Sequence, residues 1–296
     1  VTFAKSLDAL VLRALEEDLA SGDITTDATI SEDALAIAEA VAKSPLVVSG
    51  IEVFARCFYA LDPGCRVEQL VEEGALVNKG DVFLRVEGNT RALLKGERTA
   101  LNFIQRLSGT ATLTKSYVNA ASGRVRICDT RKTTPGLRSL ERAAVRHGGG
   151  HNHRDCLGSA VMIKDNHIAA SGSISLAVKA AQSYAPHTSR IEVEVTNHEE
   201  IAEALHAGAD ILLLDNFSDD EVGAAIKLVN QRAIVELSGN MSLERIAPLA
   251  QLGADIISIG ALTHSAPAAD ISLRMRPVEE GAPPLIMPSA MPSPAP

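Results

Sequence analysis

The period of apolar and polar positions changes several times along the chain, and each change marks an element. Over residues 6–19, Leu7, Leu10, Val11, Ala14, Leu15 and Leu19 recur at helical spacing, which predicts an amphipathic helix. The polar stretch SGDITTDATI then reads as a turn that could begin a strand. Residues 34–48 alternate as a strand does, and a helix restarts near Ile51. In VEEGALVNKGDVFLRVEG, Gly74 and Gly80 fall at turn positions while Val82, Leu84 and Val86 alternate, which predicts a hairpin. This hairpin resembles those of biotinyl and lipoyl carrier domains, but Lys79 lacks the flanking residues of a modified lysine. It is therefore read as structural. A long helical stretch follows, with Leu101, Ile104, Leu107 and Leu113 on one stripe and Arg98 near its start. A domain boundary is expected within residues 107–112.

Beyond that point a strand–helix rhythm repeats. Short aliphatic runs occur at residues 125–128, 160–164, 191–195, 211–215, 233–237 and 256–259. Helical segments such as HEEIAEALHAGA, SDDEVGAAIKLVNQ and SLERIAPLAQLGA lie between them, and two of these stop at a glycine just before a strand. Strands alternating with helices predict a parallel sheet. With no GxGxxG turn, the repeat favours a barrel over a doubly wound sheet.

Composition narrows the class. Of 296 residues, 46% are hydrophobic, 3% are aromatic and none is Trp, so the core must be built from Ala, Val, Ile and Leu. Short aliphatic strands of this kind suit a sheet buried on both faces. The net charge of -9 argues against general binding to nucleic acid or anionic membrane. No apolar run approaches a membrane span and no signal-peptide pattern opens the chain. The scattered Cys57, Cys65, Cys128 and Cys156 read as reduced thiols of a cytoplasmic protein. The tail from Pro277 is rich in Pro, Ala, Ser and Met, and its last dozen or so residues are expected to be disordered.

The chemistry is sought where strands end, because function in a parallel α/β barrel collects there. The successive strand ends deliver Asp129, Arg131 and Lys132, then Lys164, Asp165 and Asn166, then Glu194, then Asp215 and Asn216. The last two deliver Glu236 with the turn Ser238-Gly239-Asn240, and Gly260, Ala261 and His264. Arg131, Lys132, Arg154 and Lys164 can form a positive cleft on an acidic protein. The SGN and IGA turns can offer backbone N–H groups to a phosphate. Glu194 and Asp215 suit Mg2+ or sugar hydroxyls. Together these groups suggest a phosphorylated sugar. Arg138, Arg142 and Arg146 read as ordinary ion-pairing residues. His147, His151, His153 and His167 surround three consecutive glycines without zinc-motif spacing, so zinc is not expected.

Lys164 poses a sharper question, since it ends an apolar strand and burying a cation is costly without partners. A Schiff-base aldolase would use such a lysine as nucleophile. A non-catalytic carrier or scaffold built on the hairpin would leave the charged rim unexplained.

EDLASGDITT, GERTALNFIQRLSGTAT, DTRKTTPGLRSLERAAVRHGGGHNHR, AVMIKDNHI, IEVEV, LLLDNF, VELSGN and IGALTHSAPAADISL follow one known pattern in order. Over residues 17–273 the chain resembles quinolinate phosphoribosyltransferase, also called carboxylating nicotinate-nucleotide pyrophosphorylase. The resemblance implies transfer of phosphoribosyl from 5-phosphoribosyl-1-pyrophosphate to quinolinate with Mg2+, giving nicotinate mononucleotide, CO2 and pyrophosphate in de novo NAD biosynthesis. It implies an N-terminal α/β sandwich domain over residues 1–108, to which residues 273–296 return, and an incomplete, open α/β barrel over 109–272. It also implies at least a homodimer, with Arg98 donated across the interface.

By the same resemblance, Arg131, His153, Arg154 and Lys164 hold the quinolinate carboxylates with the partner's Arg98. Lys132 and Lys164 meet the phosphoribosyl donor, Glu194 and Asp215 meet the ribose directly or through Mg2+, and Lys132, Lys164, Glu194 and Asp215 form the catalytic set. Ser238, Gly239, Asn240, Gly260 and Ala261 cradle the 5-phosphate near His264, and Thr133 and Ile259 complete the binding set. A paralogue of this fold, molybdate-associated or specific for another base, would alter the carboxylate-binding residues, which here are intact. One departure is Asn240, which stands where many members have a second glycine. Asn tolerates left-handed backbone, so the turn is expected to survive.

Overall fold

The computed structural model describes residues 3–278. They divide into two compact units, one of residues 3–112, 139–148 and 266–278, the other of 113–138 and 149–265.

The first unit opens with α1 (Phe3–Leu19), whose Leu7, Val11 and Leu15 are buried as the spacing requires. The stretch expected to begin a strand is instead a short helix, α2 (Ile24–Thr29). Asp23 caps the helix by accepting the Thr26 N–H at 3.0 Å. After it come β1 (Leu35–Ala42), β2 (Leu46–Val47), α3 (Ile51–Tyr59), β3 (Arg66–Gln69), β4 (Leu76–Val77), β5 (Val82–Asn89) and the 32-residue α4 (Thr90–Ala121). Gly74 and Gly80 do take left-handed backbone, but β4 and β5 do not pair with each other. β5 lies between β1 and β3, both antiparallel to it, and β4 pairs with β2. The eight-residue β1 offers β5 a partner of its own length, which the two-residue β4 cannot.

Phe54 and Phe58 of α3, in edge-to-face contact at 5.1 Å, form the core of this unit with Leu93, Ile104 and Leu107 of α4. The chain returns along α4 at Gly109, where a Cβ would come within 2.0 Å of the Pro267 carbonyl oxygen. Only glycine allows that crossing. Gln105 fixes it by donating its side-chain N–H to Ile271 O at 2.7 Å.

The second unit carries the strand–helix repeat. In order come β6 (Arg126–Cys128), α5 (Arg138–His147), β7 (Val161–Ile163), α6 (Asp165–Ser171), α7 (Ile174–Tyr184), β8 (Ile191–Val195) and α8 (His198–Ala207). Then follow β9 (Ile211–Asp215), α9 (Asp219–Val229), β10 (Ile234–Ser238), α10 (Leu243–Leu249), β11 (Ile256–Ser258) and α11 (Ala261–His264). Most of α5, from residue 139, belongs to the first unit. The last strand, β12 (Ile271–Pro277), pairs antiparallel with β1. The rest of the expected returning tail, 279–296, lies outside the described residues.

The six strands β6–β11 form one parallel sheet in the order β6-β11-β10-β9-β8-β7, so β6 and β7 are its two edges and the barrel is open. The Gly-Ala-Asp ends of the helices have a second use. Gly208 caps α8 in left-handed conformation at φ 85. Asp210 then accepts the Ile191 N–H at 2.7 Å, and Asp255, two residues past Gly253, accepts the Val235 N–H at 2.9 Å. Each of these aspartates accepts a backbone N–H at the start of the neighbouring strand.

Candidate active site

Strand register decides which side chains share a face. Glu194 is level with Leu213 and Glu236, and Asp215 is level with Ser238, so these residues lie on one side of the sheet with Glu192. That side carries the polar groups at the C-terminal ends.

The stretch between β6 and β7 forms the first wall. His151 donates its N–H to Ile127 O at 2.8 Å and accepts from Asp129 N at 3.0 Å, extending the sheet beyond β6 by one bridge. The left-handed Gly149 lets the chain reverse into this position. Fully buried Asp129 then accepts the His153 N–H at 2.7 Å and the Asn152 side-chain N–H at 2.5 Å. One carboxylate thus places the loop that carries His153 and Arg154.

His153 points its Nε2 at two buried carboxylates, 3.5 Å from Glu192 and 3.4 Å from Glu236. Burial alone would lower the ring's pKa, but the Glu192 and Glu236 carboxylates beside it overcome this and push it up to about 10. Burial also raises Glu192. The cluster therefore keeps a proton at neutral pH. His153 Nδ1 lies 2.7 Å from the Arg154 backbone nitrogen, which orients the ring so that Nε2 faces the two carboxylates. These three residues also lie close enough together to hold a metal ion. They form a buried charged cluster in which Glu192 Oε1 and Glu236 Oε1 have no hydrogen-bond partner among the described residues. Sequence reading placed Glu236 at a strand end without assigning it a role and passed over Glu192. The signal was a glutamate inside an otherwise aliphatic run, at the same parity as Glu194.

The cations collect in front of this wall. Arg131 buries its Nε without a hydrogen-bond partner among the described residues. The Arg154 guanidinium is pushed down first by burial and then by the Arg131 charge, so the two cations are near each other and incompletely neutralised. Arg154 donates to Ala160 O at 3.1 Å. Lys132 is exposed, and its carbonyl accepts the Thr263 hydroxyl at 2.7 Å. Arg138, read as an ion-pairing residue, instead donates to Thr133 Oγ1 at 3.0 Å and Asp155 O at 2.8 Å, holding two cation-bearing loops together.

Lys164 ends β7, an edge strand whose Val161 and Met162 are only half-buried, so it leaves a less buried strand than the apolar run suggested. Its ammonium pairs with Glu194 at the end of β8. His167 fixes the backbone there by accepting the Lys164 N–H on Nδ1 at 3.0 Å.

The opposite rim is built from backbone. Gly239 has φ +90, and a Cβ on it would lie 2.2 Å from Asn216 Oδ1 and 2.8 Å from Asn216 N. Asn240 follows at φ 45, so this asparagine does adopt the left-handed backbone expected of the turn. Asn216, also left-handed, donates its N–H to Ser238 O at 3.1 Å and its side chain to Asp215 at 2.7 Å. Gly260 sits where a Cβ would be 3.0 Å from both His264 Nε2 and Lys132 Cδ. Buried Ile259 is pinned by its N–H to Cys128 O at 2.9 Å, and Ala261 begins α11. The Gly239, Asn240 and Ala261 N–H groups make no hydrogen bond among the described residues.

Arg131, Lys132, Thr133, His153, Arg154, Lys164, Glu194, Asp215, Ser238, Gly239, Asn240, Ile259, Gly260, Ala261 and His264 thus all belong to the second unit, at strand ends or in the loops after them. Arg98 belongs to the first unit, exposed on α4 without a hydrogen bond or ion pair among the described residues. Such an arrangement can bind a small polyanion between cations and backbone N–H groups, with carboxylates beside it.

Comparison with known proteins gives the same direction. Residues 23–108 match the family model "Quinolinate phosphoribosyl transferase, N-terminal domain" and residues 110–274 match the C-terminal domain model. The chain is 44% identical to the "Probable nicotinate-nucleotide pyrophosphorylase [carboxylating]" of Bacillus subtilis, over 87% of this chain and 89% of that protein. It is 42% identical to the "Nicotinate-nucleotide pyrophosphorylase [carboxylating]" of Mycobacterium leprae, over 89% and 95%. Among solved structures it is similar to NadC from Streptococcus pyogenes, with a TM-score of 0.89 and 40% identity over 94% of this chain and 99% of that one.

Proposed function

The chain belongs to the quinolinate phosphoribosyltransferase family, and from that premise we infer that it transfers the phosphoribosyl group of 5-phosphoribosyl-1-pyrophosphate to quinolinate. The products are nicotinate mononucleotide, CO2 and pyrophosphate, the de novo step of NAD biosynthesis. The observation that carries the reading is the buried, unpartnered Arg131 Nε beside a crowded Arg154. An incompletely neutralised pair of planar cations with a buried, unpartnered donor calls for a carboxylate-bearing ligand, and quinolinate brings two carboxylates.

In this reading Arg131, Arg154 and Lys164 hold the base, with His153 fixing the loop from below. The N–H groups of Gly239, Asn240 and Ala261 take the 5-phosphate, aided by Ser238, Gly260 and His264. Lys132 and Thr133 lie along the pyrophosphate, and Ile259 closes the apolar edge. Glu194 and Asp215 face the ribose. Their carboxylate oxygens on adjacent strands are the hard donors that Mg2+ prefers, so they fit the ion directly or through water. When bound, Mg2+ supplies charge neutralisation to the donor's oxygens.

The quinolinate nitrogen attacks C1 of the ribose as pyrophosphate leaves. Position and electrostatics do most of the work. Carboxylates near the ribose favour the positive charge that develops there, and the cations favour the leaving pyrophosphate. Once alkylated, the ring nitrogen is positive and stabilises the electron pair left at C2 when CO2 departs, and C2 then takes a proton from solvent to give the product. Lys164 is engaged by Glu194 rather than set in an apolar pocket, which supports electrostatic use over Schiff-base chemistry.

Arg98, exposed and unengaged, reaches the quinolinate of a partner subunit, so the working unit is at least a homodimer. Among the described residues no helix is long and apolar enough to cross a membrane. The four free thiols fit a reducing, cytoplasmic setting, and the charge of -9 fits small-molecule rather than nucleic-acid substrates. Lys164→Ala is the test of the site. Near-complete loss of turnover is expected, and a near-normal kcat/KM would overturn the assignment.

A further inference from the structure

Just past the phosphate-binding turn, one side chain makes more backbone contacts than its position needs. Arg245 of α10 donates through Nη1 to Gly239 O at 3.3 Å and to Asn240 O at 3.0 Å. Its Nη2 donates to Phe217 O at 3.4 Å, and Nε and Nη2 both reach Asp219 Oδ1, at 3.0 and 2.5 Å. One guanidinium thus ties the turn after β10 to the loop after β9. Both segments carry left-handed residues, Asn216 at φ 58, Gly239 at φ 90 and Asn240 at φ 45. Such conformations persist only where their surroundings over-determine them.

We propose that Arg245, held by Asp219, is a positioning residue for the phosphoribosyl donor. This rests on the transferase reading above. Peptide planarity carries the argument. In a trans peptide the carbonyl of one residue and the N–H of the next point in opposite directions. Capture of the Gly239 and Asn240 carbonyls by Arg245 therefore aims the Asn240 and Met241 N–H groups away from the guanidinium. Neither N–H has an acceptor among the described residues. Buried Tyr117 steadies the far end by donating its hydroxyl to Met241 O at 3.1 Å. The turn is thus held open as an anion cradle before any phosphate arrives, and Arg245 acts without touching the substrate. A planar fork is needed to reach three carbonyls and a carboxylate together, which lysine cannot do.

The test compares Arg245→Met and Arg245→Lys with wild type in steady-state assays varying each substrate. On the order of a tenfold rise in KM for 5-phosphoribosyl-1-pyrophosphate is expected in both variants, from loss of oriented hydrogen bonds. The quinolinate KM should stay within about twofold, which a general loss of folding would not produce. An unchanged donor KM in Arg245→Met overturns the proposal while the transferase reading stands. Wild-type behaviour in Arg245→Lys overturns it too, because charge alone would then suffice. If Arg245→Met does not fold, Asp219→Asn decides, with a smaller rise in the same KM supporting the proposal and none overturning it. A folded wild-type protein that forms no product removes the transferase reading, and the proposal with it.

Discussion

Asp129→Asn should separate loop placement from chemistry. The Asp129 side chain is fully buried and accepts the His153 N–H at 2.7 Å and the Asn152 amide at 2.5 Å. Asparagine keeps the shape and one acceptor oxygen. Its NH2 group must then face either the His153 N–H or the Asn152 amide, donor against donor. One charge-assisted bond is lost and a buried donor is left unmatched, a cost of about 2–3 kcal/mol. Against a native stability of ~5–15 kcal/mol the variant should still fold. At roughly 2–4 °C per kcal/mol, its Tm should fall by about 5–10 °C. Because His153 and Arg154 ride on this loop, the KM for quinolinate should rise by about tenfold or more, while that for 5-phosphoribosyl-1-pyrophosphate changes little. Differential scanning calorimetry with two-substrate kinetics reads both. An Asn variant with wild-type Tm and wild-type quinolinate KM would refute the reasoning.

Gly239→Ala combines a left-handed φ of 90 with a Cβ 2.8 Å from Asn216 N, so it should raise the donor KM and cost about 1–2 kcal/mol in conformation alone, read by kinetics and denaturant titration. An equal mixture of Arg98→Ala and Lys164→Ala subunits should regain about a quarter of wild-type activity, since about half the dimers are mixed and half the sites in each mixed dimer are whole. Two inactive parents whose mixture stays inactive would count against a shared site. Burial pushes Cys57 and Cys65 up to about 12, so thiolate is scarce at both up to that pH, while Cys156 is exposed. A native thiol titration at pH 8 should therefore modify Cys156 fast and leave Cys57 and Cys65 unmodified until the chain unfolds.

Much of the barrel was legible because each parallel strand is a short aliphatic run with a polar residue at its end. The runs at 191–195 and 211–215 coincide with β8 and β9. Strand ends also gave the cations and the SGN and IGA turns, since side chains there have one place to go. What stayed hidden was register. Glu192 and Glu236 meet at His153 only because β8 and β10 align through β9, which no local pattern reveals. The same blindness made a hairpin of β4 and β5, which find other partners. At α2 a single capping aspartate turned the polar stretch into a helix instead of the start of a strand. The apolar run before Lys164 did not announce an edge strand, because edge and centre differ in neighbours and not in sequence.

The most direct measurement of the assigned reaction is formation of nicotinate mononucleotide and pyrophosphate from quinolinate, 5-phosphoribosyl-1-pyrophosphate and Mg2+, run beside nicotinate as the alternative base. Product from quinolinate alone is expected, with one CO2 released per pyrophosphate. Product from neither base by a folded protein would contradict the assignment, and product from nicotinate alone would contradict the two-carboxylate clamp.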